Sequence, residues 1–187
     1  EMSKAQLSAR LRAVKVNPAE KALLKRNVKF TYRFTKVLDE EGSKDVIDWV
    51  DRSCGQDKPQ VIIFDPLSNI FAGDDENSNV ELMKFIRDRI WVLRDQINPK
   101  AAIILIHHSN KVNRNQMMEN PFLAIRGASA IQGAYDVGLF ITKTSEDTQD
   151  RRLFFQTRAV MEPKPMTVHY QDGHMLDRGD AYDRESG

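Results

Sequence analysis

The sequence has few of the features that mark secreted or membrane proteins. Its 187 residues include one cysteine, Cys54, which excludes a disulfide framework within the chain and favours a reducing compartment. No apolar run approaches the roughly 20 residues that a membrane-spanning helix needs, and no signal peptide opens the chain. These absences predict a cytoplasmic protein that has no membrane partner.

An excess of charge of one sign is also missing. Lysine and arginine together number 28, aspartate and glutamate 27, and the formal net charge is +1. The overall charge therefore gives no argument for nucleic acid as a partner, and any such contact has to come from a local patch. Apolar residues make up 41% and charged residues 29%, which is the balance of an ordinary globular domain with a buried core.

Helix signals fill the first third of the sequence. Ser3 and Gln6 form a capping box at the start of a first helix. A second helix is predicted from Pro18, and a third helix ends at Gly55. Apolar and polar residues alternate over 28–34, which predicts a strand between the second and third helices.

Two continuous apolar runs, at 61–64 and 101–106, predict strands that are buried on both faces of a parallel sheet. Apolar residues at helical spacing predict an amphipathic helix over 82–97 between them. Further strands are predicted at 137–141, 153–157 and 166–170, after an irregular segment and a short helix around 127–133. This order predicts an α/β fold with a largely parallel sheet flanked by helices and antiparallel strands at its C-terminal edge.

Asp65 and the pair His107-His108 follow directly after the two apolar runs. In parallel sheets, ligands bind beyond the C-terminal ends of the strands, so these residues are candidates for one site. Four apolar residues followed by aspartate is the Walker B pattern, in which the carboxylate holds a Mg²⁺-bound water beside a nucleotide. The same pattern also occurs where the aspartate only closes a turn.

The two histidines and Glu1 each allow more than one interpretation. Neighbouring residues at a strand end point in opposite directions, so at most one histidine faces a given site. That histidine is either a metal ligand beside Asp65 or a polar group that contacts a γ-phosphate; otherwise both histidines are structural. Glu1 is either a favourable charge near a helix N-terminus or a base that orients an attacking water.

Four motifs in order give the chain a resemblance to ring-shaped replicative DNA helicases with a RecA-type ATPase core. The run EMSKAQLSARL at 1–11 resembles the segment after the second core strand of DnaB-type helicases, and the strand with its aspartate at 61–65 follows at a suitable spacing. The run ILIHHSNK at 104–111 is similar to a strand end of RepA-type plasmid helicases, and RGASAI at 126–131 is similar to a helix start of that family. The resemblance covers residues 1 to about 176.

The resemblance implies ATP and Mg²⁺ as cofactors and a role for each of five residues. Glu1 would polarise the attacking water, Asp65 would act on Mg²⁺ through water, and His108 would be the sensor near the γ-phosphate. Arg126 resembles the arginine finger that RepA-type helicases offer to the ATP of a neighbouring subunit. Arg158 takes the place of a basic residue that reaches the neighbour's phosphates in DnaB-type rings, and either arginine is a candidate for the finger.

The resemblance also implies partners. Such proteins assemble as homo-oligomers, usually hexameric rings, and the irregular segment 109–125 corresponds to the part that faces the central channel. Lys111 and Arg114 are therefore expected to contact phosphates of single-stranded DNA, although a solvated loop is the alternative. Phe122 is expected to be a buried anchor rather than a platform for a stacked base.

One motif of the family does not occur in the chain, namely the phosphate-binding loop G-x-x-x-x-G-K-[ST]. In the family it precedes the residue that matches Glu1, and its backbone supplies most of the affinity for phosphate. We therefore expect residues 1–176 to form a partial core from which the loop is absent, and 177–187 to be a polar tail. A sheet edge left uncovered in this way would favour self-association.

Three functions remain open on this basis. The favoured one is an ATP-hydrolysing, ring-forming DNA helicase or DNA motor without its phosphate-binding loop. The alternatives are a RecA-like regulatory ATPase that does not unwind DNA, and a catalytically silent module for oligomerisation or DNA binding. A metal-dependent hydrolase built on Asp65 and a histidine is disfavoured, because no third ligand occurs at a sensible spacing.

Overall fold

The computed structural model describes residues 4–13, 16–31, 36–109, 120–125, 128–145, 147–171 and 174–177. They belong to two compact units, one made of the described parts of Glu1–Tyr32 and Asp136–Gly187, and the other of those of Arg33–Tyr135. Within these ranges, no helix has both the length and the apolar character needed to cross a bilayer.

Two helices open the chain, α1 over Lys4–Ala13 and α2 over Pro18–Asn27. The predicted start of α2 at Pro18 is confirmed, and Asn17 caps it. The Asn17 side chain accepts a hydrogen bond from the Glu20 N–H, and the Glu20 carboxylate accepts one from the Asn17 N–H. This reciprocal pair satisfies two N–H groups that a helix start would otherwise leave unbonded.

The strand predicted over 28–34 does not form at 28–31, and residues 32–35 lie outside the described part of the chain. Alternation of apolar and polar side chains is not enough to make a strand, because the backbone also needs a neighbouring strand for its hydrogen bonds. Residues 28–31 are solvent-exposed and pair with none of the described strands.

The unit Arg33–Tyr135 alternates helices with two short parallel strands. Its elements are α3 (Glu40–Cys54), β1 (Val61–Phe64), a 3-10 turn (Leu67–Asn69), α4 (Asn79–Phe85), a π-helical segment (Ile86–Trp91), α5 (Val92–Ile97), β2 (Ala102–Leu105), a second 3-10 turn (Pro121–Ala124) and α6 (Ala128–Ala134). β1 and β2 pair in parallel, and the helical stretch from α4 to α5 is the crossover that parallel strands require.

Helix α3 is positioned by its first turn. The Asp39 side chain accepts a hydrogen bond from the Gly42 N–H, and Gly55, with a φ of 58°, ends the helix as predicted. A Cβ atom added to Gly42 would lie 2.0 Å from the carbonyl oxygen of Val37. Only glycine therefore allows the start of α3 to approach the chain before it this closely.

The helix predicted over 82–97 forms, but its middle turn is π-helical. The buried residues Leu82, Ile86 and Ile90 are four apart, whereas an α-helix returns to the same face every 3.6 residues. Two successive steps of four would make the apolar stripe drift around an α-helix. The wider i→i+5 turn absorbs this drift and keeps Leu93 on the same buried face.

One hydrophobic core lies within this unit, and it joins α3, both strands and the helices from α4 to α5. Its largest fully buried side chains are Leu38, Leu67, Leu82, Ile90 and Leu93. On the strands, Phe64 is buried and Ile62 packs against the core, as do Ile103 and Leu105. The parallel pair is therefore attached to the helices through one of its faces.

The prediction that both strands are covered on both faces is wrong. On the opposite face of the pair, Val61 is 49%, Ile63 58% and Ile104 46% exposed. A run of apolar residues shows only that neither face is polar, and it does not reveal which face has a packing partner.

The other unit contains an antiparallel sheet in the order β3 (Val137–Lys143), β4 (Asp150–Thr157), β5 (Met166–Gln171) and β6 (His174–Asp177). The α/β class is confirmed, and antiparallel strands do form near the end of the chain, but within the described residues they make a separate four-stranded sheet rather than the C-terminal edge of the parallel one. The expectation of a largely parallel sheet is not met within the described residues, where parallel pairing is limited to β1 and β2.

Candidate strand-end site

The C-terminal ends of β1 and β2 lie side by side, because Phe64 pairs with Leu105 in parallel register. Hydrogen bonds continue past this last pair. The Ile106 N–H donates to the Phe64 carbonyl oxygen at 2.9 Å, and the Ile106 carbonyl oxygen accepts from the Leu67 N–H at 2.7 Å. The main chain of Ile106, directly after β2, is thus hydrogen-bonded to the chain on both sides of Asp65.

Asp65 is an exposed residue held between two buried ones. Phe64, immediately before it, is 8% exposed, and Leu67, two positions after it, is 1% exposed. The peptide bond between Asp65 and Pro66 is cis. Because the neighbouring side chains and main chain are fixed by the core and by Ile106, the exposed carboxylate projects from a rigid support.

The two histidines differ in solvent exposure, as expected for neighbouring residues at a strand end. His107 is half-buried and its Nδ1 atom is inaccessible to solvent, whereas His108 is exposed. Exposure alternates from Leu105 to His108, so His108 lies on the same exposed face of the pair as Ile104. Asp65 is exposed as well, and it directly follows β1, in which Ile63 pairs with Ile104.

This donor set suits Mg²⁺ that is held through water. A carboxylate oxygen is the type of ligand that Mg²⁺ prefers, and the ion usually keeps several waters while one or two carboxylates and substrate phosphates hold it. Across the described residues, no three histidine, cysteine, aspartate or glutamate side chains stand close enough together to hold a metal ion directly. Asp65 therefore fits a carboxylate that orients the waters of an ion bound to a nucleotide.

The loop between the 3-10 turn and α4 follows Asp65 and is closed by Glu81. One carboxylate oxygen of Glu81 accepts hydrogen bonds from the N–H groups of Asp74 and Asp75, at 2.8 and 3.0 Å. Ser78 caps α4 by accepting from the Glu81 N–H at 3.4 Å. The Glu81 side chain therefore fixes the acidic loop in front of the helix.

Arg158 belongs to the other unit, where it directly follows β4. Its N–H donates to the Asp136 carbonyl oxygen at 3.0 Å, and its Nη1 atom lies 3.9 Å from Asp136 Oδ1. The Arg158 side chain is 53% exposed. No local sequence pattern points to Asp136, because its closeness to Arg158 follows from strand register.

Four of the predicted site residues lie outside the described residues, namely Glu1, Lys111, Arg114 and Arg126. Their roles stay predictions. Phe122, in contrast, lies in the second 3-10 turn and is 5% exposed, so the expectation of a buried anchor is confirmed.

A comparison with protein families matches residues 1–114 to the AAA domain family. The matched part is more than half of the chain, and it includes β1, β2 and the residues at their C-terminal ends. No curated protein gave a significant match.

Proposed function

Because the chain belongs to the AAA domain family of P-loop-type ATPases, we propose that it forms part of the ATPase core of a ring-forming DNA helicase or related DNA motor. The observation that carries the proposal is the pair of adjacent parallel strand ends, with the exposed Asp65 directly after β1 and the exposed His108 three residues after β2. Family membership supports nucleotide binding and an ATPase domain. The ring, the single-stranded DNA and the helicase activity rest on the resemblance to RepA-type and DnaB-type proteins.

In this proposal, Asp65 orients waters around the metal ion and does not itself take up the transferred group. Bound ATP with Mg²⁺ supplies the phosphoryl group and the positive charge that stabilises its transfer. The main chain on both sides of Asp65 is already held by Phe64, Leu67 and Ile106, so it needs no reorganisation during the reaction, which favours electrostatic stabilisation.

His108 supplies a polar group at the neighbouring strand end. An imidazole that contacts the γ-phosphate makes a different contact once the phosphate has left. The main-chain bonds of Ile106 then give a direct connection between the end of β2 and the turn after Asp65. We therefore propose that the protein senses hydrolysis through the end of β2.

The 187 residues contain no G-x-x-x-x-G-K-[ST], so in this proposal a phosphate-binding loop outside them supplies the affinity for phosphate. The loop belongs either to the same polypeptide or to another subunit. Glu1 is proposed to polarise the attacking water, Lys111 and Arg114 to contact DNA, and Arg126 or Arg158 to reach the nucleotide of a neighbouring subunit.

The test uses the natural polypeptide that carries this chain and compares Asp65→Asn with Asp57→Asn. Asp57 lies in an exposed turn before β1, so the same chemical change there leaves the strand ends intact. We expect Asp65→Asn to lower kcat for ATP hydrolysis by about 10²–10³-fold and Asp57→Asn to leave it unchanged. Phosphate release is measured with and without single-stranded DNA, and strand separation is measured on a forked duplex.

The alternatives give different results. Hydrolysis that is stimulated by DNA but never separates strands indicates a regulatory ATPase. DNA binding or ring assembly without turnover indicates a silent module. Hydrolysis that is equally fast in Asp65→Asn and in the parent protein would contradict the proposed role of Asp65 in orienting waters around the metal ion.

A further inference from the structure

Asp136 and Arg158 face each other across the end of an antiparallel ladder. The last paired residues of β3 and β4 are Val137 and Thr157, and one position further on the Arg158 N–H donates to the Asp136 carbonyl oxygen at 3.0 Å. Directly opposite residues in such a ladder lie close enough for their side chains to interact. The 3.9 Å distance from Arg158 Nη1 to Asp136 Oδ1 is therefore a consequence of strand register.

The chain on the other side of Arg158 is also held in place. The Thr157 hydroxyl donates to the Val160 carbonyl oxygen at 2.7 Å, which fixes the turn that leaves β4. Both flanks of Arg158 are thus tied to the sheet, while its side chain is 53% exposed and that of Asp136 is 89% exposed. The remaining freedom of the guanidinium lies in its own side-chain torsions.

We propose that Asp136 is a positioning residue for Arg158, holding its guanidinium at the end of β3 and β4 until a phosphate of a neighbouring subunit's nucleotide takes over the contact. The inference rests on the proposed function, in which Arg158 reaches such a phosphate. It adds Asp136 to that function, as the residue that orients Arg158 before the arginine contacts the nucleotide of the neighbouring subunit.

The chemistry of the two groups allows this exchange. An exposed ion pair is weak in water, so Asp136 orients the side chain without trapping it. A guanidinium carries five N–H donors in a rigid fork, so a phosphate oxygen can bind at one donor before the contact at the Nη1 end is released. The phosphate also carries more negative charge than the carboxylate, which favours transfer of the contact once the nucleotide is present.

The first arm of the test is a double-mutant cycle on ATP hydrolysis in the natural polypeptide that carries the chain. We expect Asp136→Asn to lower kcat about two- to fivefold, the size of an exposed ion pair, with the KM for ATP unchanged. Asp136→Glu should restore kcat, because it keeps the carboxylate. Arg158→Ala should cost about 10³-fold, and adding Asp136→Asn to it should have no further effect.

The second arm needs no hydrolysis and uses the 187-residue chain. The Nε–Hε signal of Arg158 reports how ordered the side chain is in nuclear magnetic resonance relaxation. We expect Asp136→Asn to make this signal more mobile, while Asp147→Asn, an exposed aspartate in the turn before β4, leaves it unchanged.

Two results overturn the inference by itself: effects of Asp136→Asn and Arg158→Ala that multiply, or an Arg158 signal that is equally ordered in Asp136→Asn. Full activity of Arg158→Ala has a different meaning. It would remove Arg158 from the proposed function and leave Arg126 as the finger, and this inference would fall with it.

Discussion

Asp65 is an exposed residue whose neighbouring main chain is held in place. Its own side chain is exposed, and the restraint comes from Phe64 and Leu67 in the core and from the main chain of Ile106. A group that acts on a nucleotide has to be accessible and preorganised at once. At this strand end, the side chain of Asp65 is accessible, and the backbone beside it is already held in position.

Arg126 is the residue for which the resemblance makes the sharpest prediction, although it lies outside the described residues. If it serves a neighbouring subunit, Arg126→Ala should leave ATP binding nearly intact, because the phosphate-binding loop supplies that affinity. Hydrolysis should be lost by about 10³-fold or more, since charge that develops at the γ-phosphate loses its partner. Nucleotide affinity and single-turnover rates measured on the natural polypeptide separate the two effects.

Mixing subunits is the control for that prediction. Arg126→Ala subunits combined with subunits that carry an inactivated phosphate-binding loop should regain some turnover, because finger and loop then come from different chains. Equal loss of binding and hydrolysis, with no recovery on mixing, would make Arg126 a structural residue and favour Arg158 as the finger.

At the scale of elements, the start of α3 and the π-helical turn are both adjusted to the packing around them. Asp39 sets the first turn of α3, and Gly42 allows that turn to approach the Val37 carbonyl group. The π-helical turn brings Ile86 and Ile90 onto one buried face. Both features keep the helices in contact with the buried face of β1 and β2, and so they support the strand ends.

We predict that Gly42→Ala destabilises the chain and that Gly133→Ala does not. The added methyl at position 42 would lie 2.0 Å from the Val37 carbonyl oxygen, so the backbone has to shift, at a cost of about 1–3 kcal/mol. Gly133 lies in α6, and an added Cβ there meets no atom within 4 Å. Alanine at that position should stabilise the chain by about 0.5–1 kcal/mol, because it favours the helix over glycine.

Urea unfolding followed by circular dichroism measures both variants against the parent chain. The two substitutions are chemically identical and both lie in helices of the same unit, so the difference between them isolates the contact with Val37. A midpoint for Gly42→Ala equal to that of Gly133→Ala would contradict the close approach at the start of α3.

At the scale of the whole molecule, the phosphate-binding loop that the family requires does not occur in this sequence. We therefore predict that the 187-residue chain by itself shows no appreciable ATP hydrolysis. Affinity for phosphate depends on a nest of backbone N–H groups that the Walker B strand does not supply. Phosphate release by the purified chain, with Asp65→Asn as the reference, is the measurement.

Robust turnover by the chain that disappears in Asp65→Asn would show that the phosphate-binding element lies within these residues after all. Turnover that persists in Asp65→Asn would not depend on Asp65, and a mock purification without the chain decides whether it comes from a contaminating ATPase or contradicts the prediction.

Much of the local structure was determined by the sequence alone. The start of α2 after Asn17, the end of α3 at Gly55 and the strands β3 to β5 follow from capping residues, glycine and β-propensity, which act over a few neighbouring residues. The placement of Asp65 and the histidines directly after two apolar strands could be read in the same way. These signals depend only on neighbouring residues, so they can be recognised without knowledge of the rest of the fold.

Tertiary structure decided the features that depend on partners far away in the sequence. The exposure of Val61 and Ile63, the missing strand at 28–31 and the contact between Asp136 and Arg158 each depend on which element lies alongside. A strand needs hydrogen-bond partners, an apolar face needs something to cover it, and a cross-strand pair needs a register. None of these is a property of a short run of residues, because each arises from the packing of segments that the chain connects only at a distance.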